Sequence, residues 1–206
     1  MTRHRNPQFE FSGGHLALDF ANTVSRRPTP ERTEKLNSYQ DLIAWGSEAG
    51  VLSRREEEGL RRLAVEAPGR GRSTVLDAIE LREALFSIFA SVAGGRPVPA
   101  NALSLVNIHL QTAASHAHLI HANDRFQWEW ISSEKRLDSL LWPVARAAAE
   151  LLSSENLDRV RVCASDQCEW LFLDTTKNGR RRWCDMKTCG NRDKARRYYE
   201  RARGSE

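Results

Sequence analysis

The first 162 residues contain no cysteine, and no stretch of this 206-residue chain is apolar for long enough to span a bilayer. A disulfide framework for the body of the protein and a helical membrane span are therefore excluded. The opening Met1-Thr-Arg-His-Arg-Asn-Pro-Gln-Phe-Glu10 lacks the apolar core of a signal peptide, so a cytoplasmic location and no membrane partner are expected. The chain also lacks a phosphate-cradling glycine loop, an HExxH and a serine elbow. Catalysis would have to rest on the region of His15 and Asp19 alone, and a non-enzymatic role is expected.

The net positive charge of the chain belongs to one end. The whole carries 31 Lys and Arg against 27 Asp and Glu, a net of +4. Between Thr175 and Arg203 eleven bases face three acids (Asp185, Asp193, Glu200), a local +8, which leaves −4 for the rest. Such asymmetry points that end at a polyanion. A solvated basic tail is the plainer alternative.

All four cysteines lie in that same end, as Cys163-Ala-Ser-Asp-Gln-Cys168 and Cys184-Asp-Met-Lys-Thr-Cys189. Two short knuckles that each present a thiolate pair suit one tetrahedral Zn²⁺, and four sulfur ligands close the site to a catalytic water. The competing pair of disulfides needs an oxidising compartment. Arg180, Arg181, Arg182, Lys187 and Arg192 are placed to balance the thiolate charge, while Trp170, Phe172 and Trp183 can pack around the metal.

Upstream the pattern is mainly helical with a small β element. Leu16, Leu18 and Phe20 after Gly13-Gly14 fit either a short strand or a buried helix. Tyr39 to Ala49 reads as a helix ending at Gly50, and Ser53-Arg-Arg-Glu56 as a capping box opening the next. Pro68-Gly-Arg-Gly-Arg72 reads as a loop, with the strongest helix starting at Ser73 and stopping at Gly94-Gly95. Ala100 to Ser115 forms another, built on Leu103, Val106 and Leu110. Residues 117 to 121 and 126 to 131 alternate like a hairpin, and a helix from Ser133 to Leu152 is expected to bend at Pro143. The boundary then falls near 155, giving a helical domain over 1–155 and a zinc module over 156–206.

After Cys189, a helix would carry Ala195, Tyr198, Tyr199 and Ala202 on one buried stripe. Arg192, Arg196 and Arg203 flank it on one side, Lys194, Arg197 and Arg201 on the other. These cations suit phosphate contact. His15, Asp19 and Asn22 form the one polar cluster in an apolar stretch, read either as a ligand pocket or as a cap in which Asp19 or Asn22 fixes a turn. His116, His118 and His121 have no acidic or cysteine partner nearby in sequence and are not read as a second metal site.

At Cys189-Gly190-Asn191-Arg192 and the preceding Trp170-Leu-Phe-Leu-Asp174 and Arg181-Arg-Trp-Cys184, the chain resembles the CGNR zinc-finger family, whose cysteine spacing is the same. Gly14-His-Leu-Ala-Leu-Asp-Phe-Ala-Asn-Thr23 resembles the ABATE domain that accompanies it. The resemblance implies a bacterial stress-induced transcription regulator with Cys163, Cys168, Cys184 and Cys189 as zinc ligands. DNA is the expected partner through the basic residues named above; RNA or an acidic protein is the alternative. A homodimer and a small-molecule effector stay open.

Overall fold

The computed structural model describes residues 8–131 and 133–203, with side chains through 200. Among them the helices are α1 (Leu16–Ala21), α2 (Tyr39–Glu48), α3 (Arg54–Glu66), α4 (Pro68–Ala93), α5 (Ala100–Ser115), α6 (Leu141–Leu152) and α7 (Asn191–Arg203). Three antiparallel pairs complete the fold: β1 (Val24–Ser25) with β2 (Thr33–Glu34), β3 (Ala117–Ala122) with β4 (Arg125–Trp130), and β5 (Val160–Val162) with β6 (Leu171–Leu173).

The ambiguous opening segment is a helix. α1 is only six residues long and lies in the centre of the core, packed on α4 and α6, with Ala17, Leu18, Phe20 and Ala21 fully buried. Phe20 meets Trp45 of α2 edge to face with ring centroids 4.9 Å apart. Burying each of these rings contributes about 1.5–3 kcal/mol, which offsets the weak intrinsic stability of so short a helix. The capping box of α3 forms as expected, with Ser53 and Glu56 each bonding the other's backbone N–H. Gly50 and Gly95 both take positive φ, +72° and +62°, after the ends of α2 and α4.

Three expectations are corrected. Pro68-Gly-Arg-Gly-Arg72 is the first turn and more of α4, because proline at the first helical position gives up only a backbone donor that lacks a partner there anyway. Gly71 brings that turn against Tyr39, whose Cβ would lie 3.6 Å from an added side chain. The segment from Ser133 is two 3₁₀ turns, 133–135 and 137–140, and Pro143 lies in the first turn of α6 instead of bending a long helix. In α5 the buried face is Ala102, Val106 and Ala113, while Leu103 points outward.

The β1–β2 hairpin is fastened to α4 by charge. The guanidinium of Arg82, fully buried, donates to both Glu34 oxygens at 2.6 and 2.7 Å, and Arg27 pairs with Glu83 at 2.6 Å. Burial alone would raise the Glu34 carboxyl, but the Arg82 hydrogen bonds overturn this and hold it below the usual range.

Candidate metal centre and nucleic-acid interface

Each knuckle is shaped by backbone bonds. Past β5, the Cys163 N–H donates to Trp170 O at 2.8 Å and the Cys168 N–H to Ser165 O at 3.1 Å, closing the first loop. Glu169 turns the chain with a φ of +59°. The Ala164 N–H donates to Arg182 O at 2.8 Å, which ties the first knuckle to the run leading into Cys184. Asp185 then accepts from Thr188 N at 2.7 Å and Thr188 Oγ1 at 2.9 Å, nucleating the five-residue turn 186–190 that presents Cys189. A Cβ at Gly190 would overlap the Met186 thioether, so a larger residue there requires that side chain to move. The Asn191 amide donates to Lys187 O at 3.0 Å and joins this turn to α7.

The four cysteines converge. Their sulfurs all lie within 4.8 Å of one another and all four residues are buried. Cys184 Sγ is 3.6 Å from Cys168 Sγ and 3.7 Å from Cys189 Sγ. A tetrahedron with Zn–S near 2.3 Å has an S···S edge of about 3.8 Å, whereas a disulfide needs about 2.05 Å. Hydrogen bonds from Cys168 and Cys184 draw Cys163 far below the ordinary thiol range, and the same contact with Cys163 pushes Cys168 and Cys184 up. Four thiolates at this spacing repel one another, and a divalent cation at their centre is what would hold all four deprotonated. Trp170 and Phe172 are buried around the cluster with Trp183 partly so, as the sequence suggests.

The finger is fused to the helical body through α1. Asn22 Nδ2 donates to Leu171 O at 2.8 Å, and the Leu171 N–H donates back to Asn22 Oδ1 at 2.9 Å. The Trp170 indole donates to Val24 O at 2.8 Å, and the Leu173 N–H to Gly13 O at 2.8 Å. His15, Asp19 and Asn22, read from sequence as either a ligand pocket or a cap, all make capping or backbone bonds here. His15 is the N-cap of α1, accepting from Ala17 N at 3.4 Å; Asp19 accepts the Gly13 N–H at 2.7 Å; and Asn22 is spent on Leu171. Burial pushes the Asp19 carboxyl up to about 6 against the lowering effect of the Gly13 bond, and burial lowers His15 while Glu150 opposes it.

The basic residues divide into two groups. Arg181 turns inward: its Nε donates to Trp183 O at 2.9 Å, a second guanidinium nitrogen bonds Cys184 O, and the plane lies 4.6 Å from the Phe172 ring centre. Arg196 and Arg197 both pair with the buried Asp193, at 2.9 and 2.8 Å, and Arg196 also lies 3.6 Å from Asp166 and 3.5 Å from Glu200. Arg180, Arg182, Lys187, Arg192 and Lys194 are exposed. The side chain of Arg201 lies outside the described residues. Arg192 shares with Arg26 the lining of a recess of about 170 Å³ beside Cys168, Cys184 and Cys189.

The stripe expected on α7 is not buried. Ala195 is exposed, and Tyr198 and Tyr199 are 71% and 65% exposed, their rings 5.8 Å apart edge to face. Only Asp193 is inward-facing among the described side chains of this helix, which is joined to the body by its first turn and the 186–190 turn. Sequence reasoning also missed Asp174, which accepts from Thr176 N and Oγ1 at 2.9 and 2.6 Å and from Arg181 N at 2.8 Å. Its Asp-Thr-Thr setting is the signal for such a turn. Nothing local marked Arg26 as part of the recess.

Residues 14–155 match the model of the ABATE family, described as "Putative stress-induced transcription regulator", and residues 159–202 match the CGNR zinc finger. No curated protein matches the chain. The four-cysteine cluster within the finger accordingly holds one structural zinc ion. Among the described residues no helix is long and apolar enough to cross a membrane.

Proposed function

The chain belongs to the ABATE family and ends in a CGNR zinc finger, and from that premise we propose that it is a DNA-binding transcription regulator whose zinc ion fixes the binding surface. The observation that carries this reading is α7, a helix that follows the last zinc ligand, is anchored by Asp193 in its first turn and exposes its other described side chains, most of them cations or tyrosines. Arg180, Arg182, Lys187, Arg192 and Lys194 are exposed and can meet phosphates without leaving the Asp193 carboxylate. Arg196 and Arg197 are a second layer, because reaching a phosphate requires them to leave Asp193. Exposed Tyr198 and Tyr199 add flat apolar surface beside the charge, suited to sugars or bases. The closed sulfur shell leaves the metal no site for a substrate, which supports a structural and not a catalytic role for the zinc.

The test is fluorescence anisotropy of a labelled mixed-sequence duplex titrated with the zinc-loaded chain, in parallel with a single-stranded RNA and a polyglutamate competitor. Micromolar or tighter duplex binding that survives polyglutamate supports the reading. Preferential loss to the acidic polymer would favour a protein-interaction module, and tighter RNA binding would move the target.

A further inference from the structure

The β3–β4 hairpin leaves an edge that the fold does not use. Asn123 and Asp124 take φ of +52° and +58°, the two left-handed residues of a tight two-residue turn. The register pairs Ala122 with Arg125, Ile120 with Gln127 and His118 with Glu129. The Ile131 N–H donates to His116 O at 2.8 Å in the same register. Hydrogen-bonded and non-bonded pairs alternate along an antiparallel ladder, so the backbone N–H and C=O groups of Phe126, Trp128 and Trp130 face away from β3. Among the described residues nothing pairs with that side, since the sheet has only these two strands. Phe126 and Trp128 are 77% and 54% exposed, and β4 has no proline, glycine or bulge to blunt the edge.

We infer that β4 pairs antiparallel with β4 of a second copy of this chain, about a two-fold axis at Gln127. The order of residues on the strand is self-complementary about that point. Arg125 then lies across from Glu129 of the partner subunit, on the same face as Gln127, and Phe126 lies across from Trp128 of the partner subunit on the other. The pairing bonds Phe126 and Trp128, whose polar backbone groups point outward, and leaves Gln127 facing its own symmetry mate. Glu129 is 57% exposed despite its 3.3 Å contact with His118, so it can take the partner's guanidinium. The β3 edge offers no such match: pairing it about Ile120 sets Leu119 against His121 and His118 against Ala122. A two-fold strand pairing closes on itself, which ends growth at a dimer instead of a fibre. The inference stands independently of DNA binding.

Sedimentation velocity of the zinc-loaded full chain across the micromolar range is the test. The parent should be dimeric at the upper end. Arg125→Glu or Glu129→Arg alone should shift it to monomer with the far-UV circular dichroism of the parent, and the two together should restore the dimer, because only the intermolecular pair is regenerated. Gln127→Cys should yield a disulfide-linked dimer on mild oxidation, its Cα lying about 4.5 Å from its mate, and Arg125→Cys should not. A monomeric parent, reversals that leave the dimer intact, or a swap that fails to restore it would overturn the inference.

Discussion

The side chain of Asn22 brackets the peptide of Leu171, donating to its carbonyl at 2.8 Å and accepting from its N–H at 2.9 Å, across 149 residues of sequence. Asn22 thereby does for β6 what a neighbouring strand would do, and the zinc finger becomes continuous with the helical core: Val160 and Leu171 belong to that core, while Cys163 and Phe172 belong to the metal cluster. Asn22→Ala should lower unfolding stability by about 2–6 kcal/mol, since two buried backbone groups lose their partners at about 1–3 kcal/mol each. Asn22→Asp should recover part of this by keeping the acceptor for the Leu171 N–H. Denaturant titration measures both, and an unchanged midpoint for Asn22→Ala would contradict the bracket.

Asp19 provides a pH signature. Its folded-state carboxyl is raised by burial to about 6 from 3.8, so the folded chain holds this proton more tightly than the unfolded one. The resulting stability is fully present below pH 3.8 and is lost as pH rises through 6, a difference of about 3 kcal/mol at 1.36 kcal/mol per pKa unit. Asp19→Asn abolishes the titration while keeping an acceptor for Gly13. Relative to the parent, the variant should gain stability between pH 4 and 7; a stability difference that is flat with pH would refute the raised carboxyl.

The zinc ion should be stoichiometric. Metal analysis of protein purified under reducing conditions is expected to find one equivalent, and Cys184→Ser should lose it because an alcohol does not replace a thiolate here. Since Trp170 is bonded to Val24, metal loss should also loosen the helical body and lower its melting temperature. Less than half an equivalent, or a Cys184→Ser chain that melts like the parent, would refute the assignment.

Arg181 and Arg192 should separate structure from binding. Arg181→Ala leaves the Trp183 and Cys184 carbonyls without their donor and should destabilise the finger by about 1–3 kcal/mol. Arg192→Ala removes an exposed cation and should leave the melting temperature within error while weakening duplex binding. A melting curve and a binding isotherm for each variant decide it.

What the sequence disclosed was local. The capping box at Ser53, the Gly50 stop, the hairpin turn and the cysteine pairs each write their geometry within a few residues. Pro68-Gly-Arg-Gly was misread because the same residues serve loops and helix starts, and only Tyr39 against Gly71 distinguishes them. The α7 stripe was misread because periodicity shows which residues share a face, not whether anything covers it. Asn22 reads from sequence as either a ligand contact or a cap because its partner, a backbone peptide, has no side-chain signature.

The salt dependence of duplex binding tests the proposed function most directly, because it counts the phosphate contacts that the proposal assigns to the surface around the zinc finger. For the zinc-loaded chain, log Kd should rise linearly with log salt, and replacing Arg180, Arg192 and Lys194 together by Ala should reduce the slope by about 2.7, at about 0.9 per lost contact. A triple variant with the parent's slope and affinity would contradict it.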